Sequence, residues 1–278
     1  MRRPASVGPL ACRRRPRPPE VPVPQQPTVV VSFDLDAEEV WLGEDPANAG
    51  RPGVLSQGAY GPRVAVPLLL DLLERLGVRA SFFVPGRVGE RHPGAVRAVV
   101  AAGHEVGHHG HTHTSPTRLG PEAEEAELLR GLEVLHGLGA EARGYRSPSW
   151  ELSAVTLDLL ERHGFAYSSN LMDDVRPYRH EGRRIVEVPV HWTLDDAPHF
   201  WFSLASWDRT IRSAAEVRAL WEEELDGYRR VGGTAVLTMH PQIIGRPGRL
   251  AMLDSLLTGL VAAGTRFATA GEAAAAVP

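Results

Sequence analysis

With 278 residues, 43% hydrophobic and 23% charged, the chain has ordinary globular composition and the length of one large α/β domain or two small ones. A formal charge of −4 offers no basic face for nucleic acid, and no run of about 18 apolar residues is present to cross a bilayer. Cys12 is the only cysteine, so intrachain disulfides are excluded and any metal must rest on histidine and carboxylate.

Residues 1–27, MRRPASVGPLACRRRPRPPEVPVPQQP, are dense in Pro and Arg and read as a disordered extension. Their apolar piece, ASVGPLAC, is short, broken by Gly and Pro, and followed at once by RRR. That opposes a secretory signal and predicts a cytoplasmic protein whose folded domain spans 28–278. TVVVSFD (28–34) has the pattern of a buried strand with a polar end. PRVAVPLLLDLLERL (62–76) has helical spacing and stops at Gly77. RASFFV (79–84) is the next strand, followed by a helix over 92–102 and the short strand HEVGHH (104–109). A helix over 121–138 opens with acids in its first turn, where the helix dipole favours them. ARGYRSP (142–148), a helix over 153–163, FAYSSN (165–170) and IVEVPVHW (185–192) come next. A helix over 214–230, TAVLTMHP (234–241), a helix over 248–263 and RFATAG (266–271) complete about seven strand–helix units. Such alternation, without a compositional break, predicts one parallel-stranded α/β domain, barrel-like or open.

In either architecture, chemistry gathers at the C-terminal ends of the strands. The polar residues there are Asp34, Asp36, His108, His109, Arg146, Asp195, Asp196 and His240. In SFDLDAE, Asp34 and Asp36 point the same way if the chain stays extended, so two carboxylates could divide metal and proton work. Taken alone, the pair reads more simply as an acidic turn. EVGHHGHTHTSP (105–116) packs four histidines into six positions. His109 and His113, four apart, suit two metal ligands, and a solvated polar loop explains the run equally well by itself. YRSPSW offers Arg146, a residue type that holds a carboxylate by paired hydrogen bonds, although most strand-end arginines are surface charges. His240 closes an apolar strand, a place where histidine is more often structural. Aromatics in HWTLDDAPHFWF (191–202) suit the roof of a small pocket or a subunit contact.

In this order, SFDLD, GHEVGHHGHTH, YRSPSW and TMHP resemble the NodB-homology, or polysaccharide deacetylase, family of metal-dependent amide hydrolases, over roughly residues 28–272. The resemblance implies a single-domain α/β fold, a distorted (β/α) barrel of about seven parallel strands. FFVPGRVGERHP, GYRSPSWELS, LDDAPHFWF and TMHPQIIGRPGRL are similar to the branch holding cytoplasmic peptidoglycan-deacetylase-like proteins and allantoinase or cyclic-imide hydrolases. Carried onto this sequence, the family pattern makes Asp34 the catalytic base, oriented by Arg146, and His240 the general acid. Asp36, His109 and His113 become ligands of one divalent metal, zinc by default, with cobalt, nickel, iron or manganese also fitting. A backbone N–H just after Arg146, that of Ser149, would help to hold the oxyanion beside Trp150, with Asp195 or Asp196 behind His240. D-L-D replaces the adjacent Asp–Asp of many polysaccharide deacetylases. The implied activity is N-deacetylation of an acetylated sugar or small metabolite. Ring opening of a cyclic imide or ureide is the alternative, and a non-catalytic binding protein on the same scaffold a second one. The branch also implies a homo-oligomer, a tetramer among the options.

Overall fold

The computed structural model describes residues 27–202 and 210–278, so the expected N-terminal extension lies outside the described residues except for Pro27. Nine strands form one sheet: β1 (Thr28–Asp34), β2 (Ser81–Val84), β3 (Glu105–His108), β4 (Gly144–Tyr145), β5 (Tyr167–Ser168), β6 (Tyr178–Arg179), β7 (Val186–Glu187), β8 (Thr234–Met239) and β9 (Arg266–Ala268). Their order is β6-β7-β5-β4-β3-β2-β1-β8, and every pairing is parallel except β6 with β7. Eight strands fall on the predicted segments. The ninth, β6, is an antiparallel addition on an edge.

β1 is the centre of the arrangement. β8 pairs along it from Thr28 to Phe33, which leaves its other edge to be shared by β9 at Thr28–Val30 and β2 at Ser32–Asp34. The far side of β8 is not left open. The Thr234 N–H donates to the Val175 carbonyl (2.9 Å), and the Asp196 N–H donates to the Thr238 carbonyl (3.0 Å). Asp195 adds a parallel bridge to Thr238. Segments from the β6–β7 end thus reach β8, and the sheet curls into the distorted barrel that the resemblance implied.

The helices pack outside, and the largest apolar cluster lies between them and the sheet. In Val66–Leu76 the buried residues Val66, Leu69, Leu72 and Leu73 repeat at helical spacing, and Gly77 closes the helix at φ 64°, as its lack of a Cβ permits. The helix predicted over 62–76 starts differently, with Pro52–Tyr60 joined to Val66–Leu76 through a wider turn at Gly61–Ala65. Pro62 and Pro67 each lack an amide hydrogen, and the widened turn lies where the regular ladder would lose those donors. Among the described residues no helix is long and apolar enough to cross a membrane.

Gly144 sets the approach of β4 to β5. A Cβ there would stand 2.0 Å from Tyr167 Cζ, and the ring cannot retreat freely because its hydroxyl donates to Glu105 (2.8 Å). Gly144→Ala should therefore lower the denaturant midpoint, by about 1–3 kcal/mol of stability or more. An unchanged midpoint would show that β4 can shift without loss.

Candidate active site

Arg146, one residue past β4, is fully buried and almost saturated. Its Nη1 donates to Asp34 Oδ1 (2.7 Å) and Ser32 Oγ (3.0 Å), its Nη2 to Ser169 Oγ (3.0 Å), and its Nε to the Ser169 carbonyl (3.3 Å). The guanidinium also covers the Phe83 ring at 4.1 Å. A buried ion pair is tolerable only when the remaining donors are satisfied this fully. Asp34 ends β1 and Ser32 lies two residues back on the same face, so strand alternation aims both at one guanidinium.

Asp36 lies two residues beyond the strand. Its Oδ1 is buried with no hydrogen-bond partner, and His109 Nε2 (3.3 Å) and His113 Nε2 (3.6 Å) face it. His109 Nδ1 sits 2.7 Å from the Arg146 carbonyl oxygen. A carbonyl only accepts, so Nδ1 carries a hydrogen and Nε2 is the nitrogen turned to Asp36, the one that could hold a metal. Burial disfavours the His109 imidazolium, but Asp34 and Asp36 outweigh it and raise His109 above its ordinary value. One carboxylate oxygen and two ring nitrogens lie within 4.8 Å of one another. Burial would raise the Asp36 carboxyl, but His113, His109 and His240 around it hold it down to about 2. Burial pushes His113 down to about 4, the neutral form a metal ligand requires.

The loop carrying His113 is not a helix, although the spacing of four allows one. His113 is left-handed (φ 56°), as is Gly110 (φ 73°). Three sets of contacts hold this shape. Glu127 Oε2 accepts from the His111 N–H (3.1 Å), the Thr112 N–H (2.8 Å) and Thr112 Oγ1 (3.0 Å). The Gly86 and Arg87 N–H groups donate to the carbonyls of Gly110 and His111, each at 3.0 Å. Gly43 packs so closely that a Cβ would stand 2.6 Å from the His113 carbonyl oxygen. His104, just before the run, and the other two histidines within it are structural or unpaired. His104 Nδ1 accepts from the Ala80 N–H (3.2 Å). His108 donates from Nε2 to the Leu128 carbonyl (3.0 Å), accepts the Gly110 N–H at Nδ1 (3.1 Å), and is pushed by burial down to about 3. His111 Nδ1 is buried without a partner.

On the opposite side His240, the residue after β8, brings Nε2 to 3.6 Å from Asp36 Oδ2. Its Nδ1 donates to Asp196 Oδ1 (2.7 Å) and its backbone N–H to Asp196 Oδ2 (3.0 Å). Burial disfavours the imidazolium, but Asp196, Asp195 and Asp36 outweigh it and raise His240 well above its ordinary value. Of the two acids expected behind His240, Asp196 holds it. Asp195 accepts instead from the Ala197 N–H (2.7 Å), with its nearer oxygen 3.8 Å from His240 Nδ1 and burial raising its carboxyl to about 7. Asp195, Asp196 and His240 also lie within 4.8 Å, but they are already bonded to one another or to backbone, unlike Asp36 Oδ1.

Ser149 and Trp150 are both left-handed, at φ 63° and 57°. Ser149 is exposed, whereas Trp150 is buried and stacks on Trp192 at 4.2 Å. The fold brings Asp34, Asp36, His109, His113, Arg146 and His240 to one mouth with Asp195 and Asp196 behind His240, whereas His108 turns away to the Leu128 carbonyl. Sequence reasoning missed Glu127, which sits among Glu122, Glu124 and Glu125 on a mostly solvated helix with nothing to single it out. It also missed Ser32 and Ser169, whose role appears only once Arg146 lies between their strands.

The polysaccharide deacetylase family pattern matches residues 59–168. The peptidoglycan deacetylase of Helicobacter pylori is 31% identical over 259 residues, covering 82% of this chain and 88% of that one. A crystal structure from Mycobacterium smegmatis, assigned to the polysaccharide deacetylases, superposes with a TM-score of 0.87 at 39% identity over 93% of this chain and 92% of the other. An allantoinase structure shares the fold at 20% identity, with a TM-score of 0.78 over 94% of this chain and 93% of its own. Similarity of this extent in sequence and fold makes the chain a member of the polysaccharide deacetylase family, a hydrolase of carbon–nitrogen bonds other than peptide bonds.

Proposed function

We propose that the chain is a metal-dependent N-deacetylase of an acetylated sugar or small acetylated metabolite. The observation that carries this reading is the buried, unpartnered Asp36 Oδ1 between two imidazole Nε2 atoms, with a carboxylate–guanidinium pair on one side and an imidazole–carboxylate pair on the other. Asp36, His109 and His113 would hold one divalent cation, zinc by default for two nitrogens and one oxygen, with cobalt, nickel, iron or manganese acceptable to the same donors. Such an ion supplies Lewis-acid polarisation of the amide carbonyl and makes a water acidic near neutral pH. Asp34 takes the proton of the attacking water at Oδ2, since Arg146 occupies Oδ1. The Ser149 N–H is the proposed backbone donor to the oxyanion, and Trp150 borders it. His240, fixed through Nδ1 by Asp196, gives the Nε2 proton to the departing nitrogen, which an amide needs because its anion leaves poorly. The relatives named as deacetylases support the acetamido substrate. Acetate release from N-acetylated amino sugars, set against ring opening of succinimide, hydantoin and allantoin, tests it. Turnover of the imides alone would replace this reading by the ring-opening one. We place the reaction in the cytoplasm; recovery of the chain outside the cell would overturn that location.

The His240–Asp196 bond has a consequence for pH. A carboxylate beside Nδ1 stabilises imidazolium, so removing its charge lowers the histidine's pKa. The acid form is then lost at lower pH, and the alkaline limb of kcat/KM in Asp196→Asn should move to lower pH. A limb that stays in place would remove Asp196 from this role. Glu127 gives a second expectation. Glu127→Ala frees the His111–Thr112 backbone and should weaken metal binding by about 10–100-fold, as is usual for groups that orient a ligand. Calorimetric titration of the metal checks it, and an unchanged Kd would show that Gly43 and Gly86–Arg87 suffice to hold the loop.

A further inference from the structure

The chain leaves the site in three places, and the three exits meet again. After Asp36 it enters the helix Glu39–Glu44, after Asp196 the helix Ala197–Phe200, and after His240 the helix Pro241–Ile244. Between them lies a cavity of about 290 Å³. One wall is aromatic, with Trp41 stacked on Trp201 at 5.0 Å and Phe200 beside them. The other carries Arg246 and Arg249, held over Tyr60 (3.8 Å) and Phe200 (4.5 Å) with one donor each to the Gln242 and Ile243 carbonyls. Neither arginine has an ion-pair partner at salt-bridge distance among the described residues, so each keeps N–H donors for a ligand. Arg249 lies close enough to Asp196 for its charge to be felt there, which ties the cavity to the His240 end of the site.

Gln242 also lines the cavity. It is 4% exposed, and neither its amide nitrogen nor its amide oxygen has a hydrogen-bond partner. An unpaired buried amide costs about 1–3 kcal/mol, so Gln242 is not there for stability. Leucine would fill the same space at no such cost.

From this geometry we infer that the cavity is a substrate subsite for a carboxylate-bearing group, such as an acidic substituent on the acetylated sugar. The aromatic wall would take the face of a ring or acyl chain, the guanidinium groups the carboxylate, and the Gln242 amide a neighbouring polar atom. Its volume is at the small end for ligand pockets, which suits one monosaccharide-sized unit and not a run of them. This inference rests on the deacetylase reading of the neighbouring site, and its test is chosen to fail separately.

The test uses the full chain as Asp34→Asn, zinc-loaded, with calorimetric titration of N-acetylglucosamine and N-acetylmuramic acid. The two carry the same acetamido group, and the second adds a lactyl carboxylate. The acid should bind at least ten-fold more tightly. Arg246→Gln with Arg249→Gln should abolish that advantage, and Gln242→Leu should reduce it while the thermal midpoint holds or rises. A carboxylate held only by zinc would keep its advantage in these variants and overturn the inference. Equal affinity, no binding of either sugar, or a change only in oligomeric state would overturn it as well. Should the advantage follow the arginines while wild-type protein releases acetate from neither sugar, the subsite stands and the deacetylase reading falls.

Discussion

Asp34→Asn is expected to lower kcat by between about 10²- and 10⁴-fold while metal content stays near that of the wild type. Asparagine keeps an oxygen for Arg146 Nη1, but it cannot take a proton at the position of Oδ2. Asp36, His109 and His113 are untouched by the change. Arg146, itself buried, then loses its charged partner, and breaking a buried pair in this way costs up to about 3–5 kcal/mol. Rates must therefore be measured well below the variant's own unfolding temperature. Asp36→Asn is the necessary contrast, because it should reduce metal content as well as rate. Metal analysis of both variants decides the matter: equal loss in the two would refute the division of labour between the aspartates.

The second large effect is expected from His113→Ala, which should lose most of the metal and most of the activity together. Removing a donor atom should weaken binding by more than the about 10–100-fold typical of residues standing behind a ligand. The left-handed backbone at this position complicates the reading, since a non-glycine residue there is strained. His113→Asn separates the two effects. Asparagine tolerates that conformation better than most residues and lacks the imidazole nitrogen, so it should fold normally and still fail to hold metal. Full metal occupancy in either variant, measured by elemental analysis after gel filtration, would remove His113 from the ligand set.

Much of the site was legible in the sequence because parallel sheets put polar residues at one end of apolar strands. Asp34, Arg146 and His240 each close such a run, and the barrel brings those ends to one mouth. The histidine run was harder to divide. His108 and His109 are adjacent and chemically identical, and only strand alternation sends one toward the Leu128 carbonyl and the other toward Asp36. Asp195 and Asp196 posed the same difficulty, and the Thr238 bridge settles which of them faces His240. Glu127 left little signal because two of its three partners are backbone amides 15 and 16 residues away, which no side-chain pattern records. β6 was missed for a related reason. Tyr178–Arg179 follows a proline and sits among charges, so only its pairing with β7 marks it as a strand.

The way the sheet ends bears on how copies of the protein can meet. A long free strand edge is a template on which another chain can add, and barrels remove it by closure. Here one end of the sheet is a two-residue antiparallel strand, and β8 at the other end is met at its start by Val175 and at its finish by Asp195 and Asp196. Neither end presents a run of unclaimed amides among the described residues. Among the described residues, these two ends of the sheet therefore offer no long free edge on which a second molecule could add a strand.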